Sequence, residues 1–387
     1  MSIEGIIQRC EELYEDLDLS AVRAWKAEDP GRKAVGFLPT YVPREILHAA
    51  GVLPVGVLGA GDQLEIVKGD AYFQSYICHF PRSVVELGLS ERLDVLDGML
   101  FPATCDVIRN LSGIWQLVFP TKYVKYFDVP QNFDPSVGGS FYRGILEDIL
   151  HDMERLTGHS VDHASLTRSI HVYNENRRLM QELYDLRAKT PWVATTSEVY
   201  LLTRAGMVLP VEEHSAMLGE YLDLVKREGR RELDNARVLL RGAFCEQPPL
   251  TLIRTLERSG CYVVDDDFML VARWLGQVEE SGDPLDALVR SYLGYGGETS
   301  SKYVPDGGCK GADLVDCAHK CGAEGVIFAA PSFCDPALLD RPMLQTALQK
   351  EGLSYTSFKY AENTGQMQPI REQAGTFADT IKLWGNE

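Results

Sequence analysis

No stretch of the chain approaches the roughly 20 consecutive apolar residues that a membrane-crossing helix needs, so no bilayer span is expected. The opening segment, Met1 to Asp18, lacks the basic-then-apolar order of a secretory leader. It is acidic, with Ile3, Ile6, Ile7, Cys10 and Leu13 at helical spacing, which predicts an amphipathic helix and a cytoplasmic protein. Low-complexity tracts and long single-sign blocks are missing, which excludes a disordered chain. Basic residues are scarce: 38 Lys and Arg stand against 56 Asp and Glu, for a formal charge of −18. Such a surface repels phosphate backbones and anionic lipid, so neither nucleic acid nor a membrane is expected as partner. There is no GxxxxGK[ST] loop, and GVLGAG is not a GxGxxG turn between strand and helix; ATP hydrolysis and nicotinamide binding are therefore expected elsewhere. A compact CxxC is absent too. The nine cysteines in a chain of 387 residues do not form a disulfide framework in a reducing compartment, which leaves metal ligands and small core residues as their roles.

What is present is globular, with 45% hydrophobic and 24% charged residues, on a length that implies more than one core. In the first third, strand and helix patterns alternate. Lys33 to Thr40 and Leu53 to Leu58 read as strands, separated by a helix that starts at Pro43 and stops at Gly51. Ser83 to Leu89 reads as a helix closed by Gly88. Leu96 to Ala103 is a further strand, leading into a helix from Asp106 to Leu117. From Ser140 to Asn235 the period becomes helical, with many charges between the apolar residues. Alternation then returns, with strands at Ala236 to Ala243, Tyr262 to Asp265 and Gly325 to Ala330, and helices at Pro249 to Ser259, at Pro336 to Lys350 and at the C-terminus. The expected fold is α/β, with two doubly wound, mostly parallel sheet domains and a helical region between them. The boundaries are 1–30 for the N-terminal helical segment, 31–139 for the first α/β domain, 140–235 for the helical region and 236–387 for the second α/β domain.

The cysteines differ in placement. Cys105 follows the apolar strand GMLFPAT and precedes the helix at Asp106; Cys334 repeats this after GVIFAAPSF, and Cys78 precedes a helix within YICHFPRS. Ligands in open α/β sheets gather beyond the carboxyl ends of strands, and a helix N-terminus favours a thiolate. Such positions suit an iron–sulfur cluster, although spacing alone leaves isolated buried thiols as the default. A local rival lies in GGCKGADLVDCAHKCGAEG, where Cys317 and Cys321, at i and i+4, could chelate zinc with Cys309 or His319. Leu314, Cys317 and Cys321 also share one helix face, which favours packing on a sheet. Cys10 and Cys261 are expected in the core, and Cys245 sits after a strand as a secondary candidate beside the cluster.

The runs YVPREILHAAGVLPVGVLG (Tyr41 to Gly59), CHFPR (Cys78 to Arg82), ATCD (Ala103 to Asp106), VVDDD (Val263 to Asp267) and FCDP (Phe333 to Pro336) resemble, in order and spacing, the 2-hydroxyacyl-CoA dehydratase and benzoyl-CoA reductase family. The likeness runs from about residue 35 to the C-terminus and is greatest to the smaller core subunit of the family's ATP-coupled ring reductases. It implies a [4Fe–4S] cluster on Cys78, Cys105 and Cys334, with one iron lacking a protein ligand. It also implies a homologous larger core subunit, ATP-hydrolysing electron-activating subunits with their own cluster, and ferredoxin as electron donor. The implied reaction reduces benzoyl-CoA, or a related acyl-CoA, to a cyclic dienoyl-CoA by single-electron transfer. Where many relatives carry a further cysteine after VVDDD, this chain reads FMLVARWL, so no fourth cysteine ligand is expected from that stretch. Glu45 and His79 are the titratable residues nearest these motifs, and helix capping or a backbone hydrogen bond is the expected role of each. The alternatives are a 2-hydroxyacyl-CoA dehydratase subunit working through a ketyl radical, and a non-catalytic zinc-binding scaffold subunit.

Overall fold

The computed structural model describes residues 2–38, 40–242, 248–267, 273–295, 310–361 and 367–384. Helices α1 (Ile3–Glu15) and α2 (Ser20–Ala27) lead into β1 (Lys33–Phe37), α3 (Arg44–Ala49), β2 (Val52–Gly56), α4 (His79–Leu89), β3 (Gly98–Pro102), α5 (Asp106–Val118) and β4 (Tyr123–Phe127). Four helices follow: α6 (Ser140–Thr157), α7 (His163–Lys189), α8 (Thr196–Ala205) and α9 (Val211–Val225). The chain then forms β5 (Ala236–Gly242), α10 (Leu250–Arg258), β6 (Cys261–Asp266), α11 (Pro284–Tyr295), α12 (Ala312–Cys321), β7 (Gly325–Pro331), α13 (Asp335–Lys350), β8 (Ser354–Tyr360) and α14 (Met367–Trp384).

Both sheets are parallel throughout and share one strand order, β2-β1-β3-β4 and β6-β5-β7-β8. The helical region lies between them in sequence, as the two-domain α/β reading expected. The edge strands β4 and β8 are the elements that reading lacks. Their side chains are mostly half-buried, and YVKYF and SYTSFKY carry too much polar character to read as buried strands. The α4 helix begins a turn earlier than expected, at His79, and runs through Gly88.

Period-two alternation sorts the strand residues by face. Val35, Phe37, Leu100, Val238, Leu240, Ile327 and Ala329 join one core that runs continuously through α6 to α9 from one sheet to the other. Met99 and Phe101 belong to a second core with α4 and α5, and Leu239, Val326 and Phe328 to a third with α12 and α13. The two units also use the same start device. Asp97 accepts from the Ala34 amide at 2.9 Å and Glu324 from the Arg237 amide at 2.7 Å. Each acid precedes a glycine where a Cβ would collide: Gly98 with Tyr123 at 2.6 Å and Gly325 with Ile381 at 2.7 Å.

His214 pins three helices of the helical region. Buried at 3% exposure, it lies 3.0 Å from Asn176 Nδ2 on α7 and 2.9 Å from the Leu202 carbonyl on α8. Burial depresses its pKa from 6.5 to about 4, with only partial opposition from the Leu202 hydrogen bond. The folded chain thus refuses a proton that the unfolded chain accepts between pH 6.5 and about 4. This group's contribution therefore falls as pH drops through that window, by about 1.4 kcal/mol per pH unit. Urea titrations at pH 7 and 5 are expected to show a loss of about 2 kcal/mol that His214→Gln removes. An unchanged pH slope in the variant would refute this assignment.

Candidate metal centre

In a parallel sheet each crossover helix runs back against its strands, which sets helix N-termini at the carboxyl edge. Cys78, Cys105 and Cys334 are the N-cap residues of α4, α5 and α13. Cys105 and Cys334 occupy equivalent places in their units, each after the strand beyond the point where the strand order reverses. The two junctions are equally long, two residues between strand end and cysteine, and Phe333 in the second takes a left-handed φ of 66°.

The structure brings Cys105 and Cys334 together across the two units. Burial pushes the Cys105 thiol up, the Ile108 and Val107 N–H groups oppose this, and the Cys334 sulfur is near enough to add to the rise. Thr104, next in sequence, favours the thiolate. Cys334 is 3% exposed and Cys78 half-buried. Cys78 starts the helix that packs directly against α5, with Phe80, Ile108 and Leu111 in one core. A thiol whose ionisation is disfavoured by burial and by a second thiol nearby is stabilised as thiolate by a metal that shares the charge.

Two buried hydroxyls stand at this edge, Thr104 Oγ1, whose one protein partner is the Cys105 sulfur, and Thr40 Oγ1 in the turn after β1, which has none. Such an atom costs about 1–3 kcal/mol when left unsatisfied, so Thr40 suits an acceptor held in the crevice. Thr40 and Tyr41 both take positive φ, 79° and 64°, a strain that functional turns retain. Tyr41 packs edge-on to Trp274 and Tyr292, 6.0 and 6.1 Å between centroids, and Tyr142 adds a further ring against Tyr292. The strained turn is thus anchored through Tyr41 in a buried aromatic cluster.

The segment before Cys78 is held by a carboxylate. Glu86 Oε2 accepts from the Val67, Lys68 and Gly69 amides at 2.9, 2.6 and 2.8 Å. Gly69 is required there, since a Cβ would stand 2.2 Å from the Arg82 carbonyl. Glu86→Ala is expected to cost about 2–3 kcal/mol and to speed amide exchange over residues 57–78. A loss under about 0.5 kcal/mol in a denaturant titration would show the cradle to be dispensable.

Glu45 does not cap its helix. Buried on α3, it forms an ion pair with Arg177 of α7. A carboxylate that gave or took a proton there would abandon its guanidinium, so Glu45 fits a structural role. His79 is buried in the first turn of α4, beside Cys78. Cys10 and Cys261 are buried, as expected of core residues, while Cys245 and Cys309 lie outside the described residues. Among the described residues no helix is long and apolar enough to cross a membrane.

Two parallel α/β sheets of one strand order, with a thiol at the equivalent helix start of each, define the class of protein to which this chain belongs. A family model described as 2-hydroxyglutaryl-CoA dehydratase, D-component, matches residues 39–381, and the chain belongs to that family. It is 56% identical to the C subunit of the benzoyl-CoA reductase of Thauera aromatica over 99% of this chain and all of that one, which makes it an oxidoreductase subunit. It is also 26% identical to the beta subunit of the lactoyl-CoA dehydratase of Anaerotignum propionicum, over 98% of this chain and 99% of that one. With the (R)-phenyllactyl-CoA dehydratase beta subunit of Clostridium sporogenes the identity is 25%, over 92% and 93%.

Proposed function

We propose that this chain is the iron–sulfur subunit in the catalytic core of an ATP-coupled, ferredoxin-linked reductase that converts benzoyl-CoA to a cyclic dienoyl-CoA. The observation that carries this reading is the approach of Cys105 to Cys334 from two separate sheets, with Cys78 on the adjoining helix. Cys78, Cys105 and Cys334 would hold a [4Fe–4S] cluster, and its chemistry is the delivery of single electrons at low potential with one iron free of cysteine. The residues around it fit that group. The Val107 and Ile108 N–H groups and the Thr104 hydroxyl favour the Cys105 thiolate, and hydrogen bonds of this kind to sulfur would tune the potential of a bound cluster. The buried rings of Tyr41, Trp274 and Tyr292 make the surroundings of the strained turn apolar, which suits a site that must hold a strongly reducing intermediate.

Partner subunits have support in the exposed apolar side chains flanking the thiols. Tyr72 and Tyr76 precede Cys78, while Phe333, Leu339 and Met343 surround the start of α13, the last two one helical turn apart. A contiguous exposed apolar rim is characteristic of a docking surface. The larger homologous core subunit is its proposed occupant, and the ATP-hydrolysing electron-activating subunits reach the core from outside this chain.

The 56% identity to a reductase subunit, against 26% and 25% for the dehydratase subunits, favours ring reduction over dehydration. Electron counting tests the choice. The anaerobic complex is expected to consume reductant in proportion to benzoyl-CoA converted. Turnover of a 2-hydroxyacyl-CoA after a single priming reduction would instead make it a dehydratase.

A further inference from the structure

We propose that Asp265, Cys317 and Cys321 form a second metal site, separate from the Cys78, Cys105 and Cys334 centre, that takes a soft divalent cation of the zinc class. The inference goes beyond the proposed reductase function and does not depend on it.

The three ligand atoms come from two elements, the end of β6 and one face of α12, and lie within 4.8 Å of one another. Cys317 Sγ is 3.9 Å from Cys321 Sγ and 3.3 Å from Asp265 Oδ2. Tetrahedral zinc, with bonds of about 2.3 Å to sulfur and about 2.0 Å to oxygen, requires edges of about 3.8 and 3.5 Å. Both edges at Cys317 match, and the third, from Cys321 to Asp265, lies within 4.8 Å. His319 is exposed and off this face, so the carboxylate takes the place that the sequence offered to a histidine. A fourth position remains for water, the thiols being half-buried.

The surrounding groups are arranged as a metal site requires. Arg273 Nη1 holds Asp265 Oδ1 at 2.8 Å, leaving Oδ2 turned toward the sulfurs. Arg241 donates to Cys317 Sγ at 3.2 Å, a bond that steadies a thiolate ligand. Charge also balances. Asp265, Asp266 and Asp267 face Arg187, Arg241 and Arg273, so carboxylates and guanidiniums cancel before the thiols are counted. As a dication enters, two thiol protons leave for water, and the two thiolates neutralise the metal. The site fastens α12 to the carboxyl end of β6.

The test is metal analysis of the anaerobically purified full-length chain, before and after incubation with zinc chloride and gel filtration. About one zinc per chain is expected, with sulfur and oxygen scatterers at the zinc absorption edge. The Cys317→Ser/Cys321→Ser double variant should lose zinc roughly tenfold or more, with Asp265→Asn weakening retention. Iron content reports separately on the cysteine centre and on the variant's fold. Zinc below about one tenth per chain after incubation, or equal zinc in the double variant with iron retained, would overturn the proposal.

Discussion

Cys334→Ala is expected to purify as a folded chain without iron. Cys334 is buried at the start of α13 and near enough to the Cys105 sulfur to act on it electrostatically, so the substitution would remove the second unit's thiolate from the proposed ligand set. Two thiolates from one unit hold a cluster poorly, and cluster occupancy should fall to near zero while the helix content stays. Cys105→Ala should behave alike, because its sulfur lies at the equivalent junction of the other sheet. Iron and acid-labile sulfide analysis with circular dichroism makes the measurement. Cys317→Ala is the control, expected to retain iron at a modest cost in stability. Full iron in folded Cys334→Ala would remove that thiol from the ligand set.

The largest effect on stability is expected at Arg187. Its side chain heads the largest fully buried ones, at 1% exposure, and lies over the Tyr184 ring at 4.4 Å. Its Nη2 reaches Asp266 Oδ2 at 2.7 Å and Asp265 at 3.8 Å, which ties α7 to the end of β6. Truncation would strip a buried carboxylate of its partner and open a cavity. Breaking a buried pair from one side costs about 3–5 kcal/mol, so Arg187→Ala should approach the margin of domain stability. Arg187→Lys keeps the charge but not the fork, and should recover part of the loss. Urea unfolding decides it: a change under about 1 kcal/mol would show that Arg273 and Arg241 already satisfy the acids.

What the sequence revealed follows from how locally each signal is written. Buried strands such as GMLFP and GVIFAAP announce themselves by continuous apolar runs, and a cysteine between such a strand and a helix start can be placed without any tertiary information. The edge strands carry no such run, because half of their surface faces water. Long-range partners were equally hidden. Glu45 sits at a helix start and reads as a capping residue, yet its partner Arg177 comes from a helix far along the chain. Beside Cys317 and Cys321 the local sequence offers only histidine and cysteine as a third ligand. The fold supplies Asp265 from β6, and three consecutive acids give no hint of which one turns toward the thiols. The Glu86 cradle is hidden for the same reason, since backbone amides leave no mark in sequence.

The most direct test of the cysteine centre is the Mössbauer spectrum of the full-length chain, prepared anaerobically with iron-57. Three thiolates on a four-iron cluster make one iron chemically distinct, so two iron environments in a ratio of about three to one are expected. Four equivalent irons would require another protein ligand, and a preparation without iron or labile sulfide would contradict the account outright.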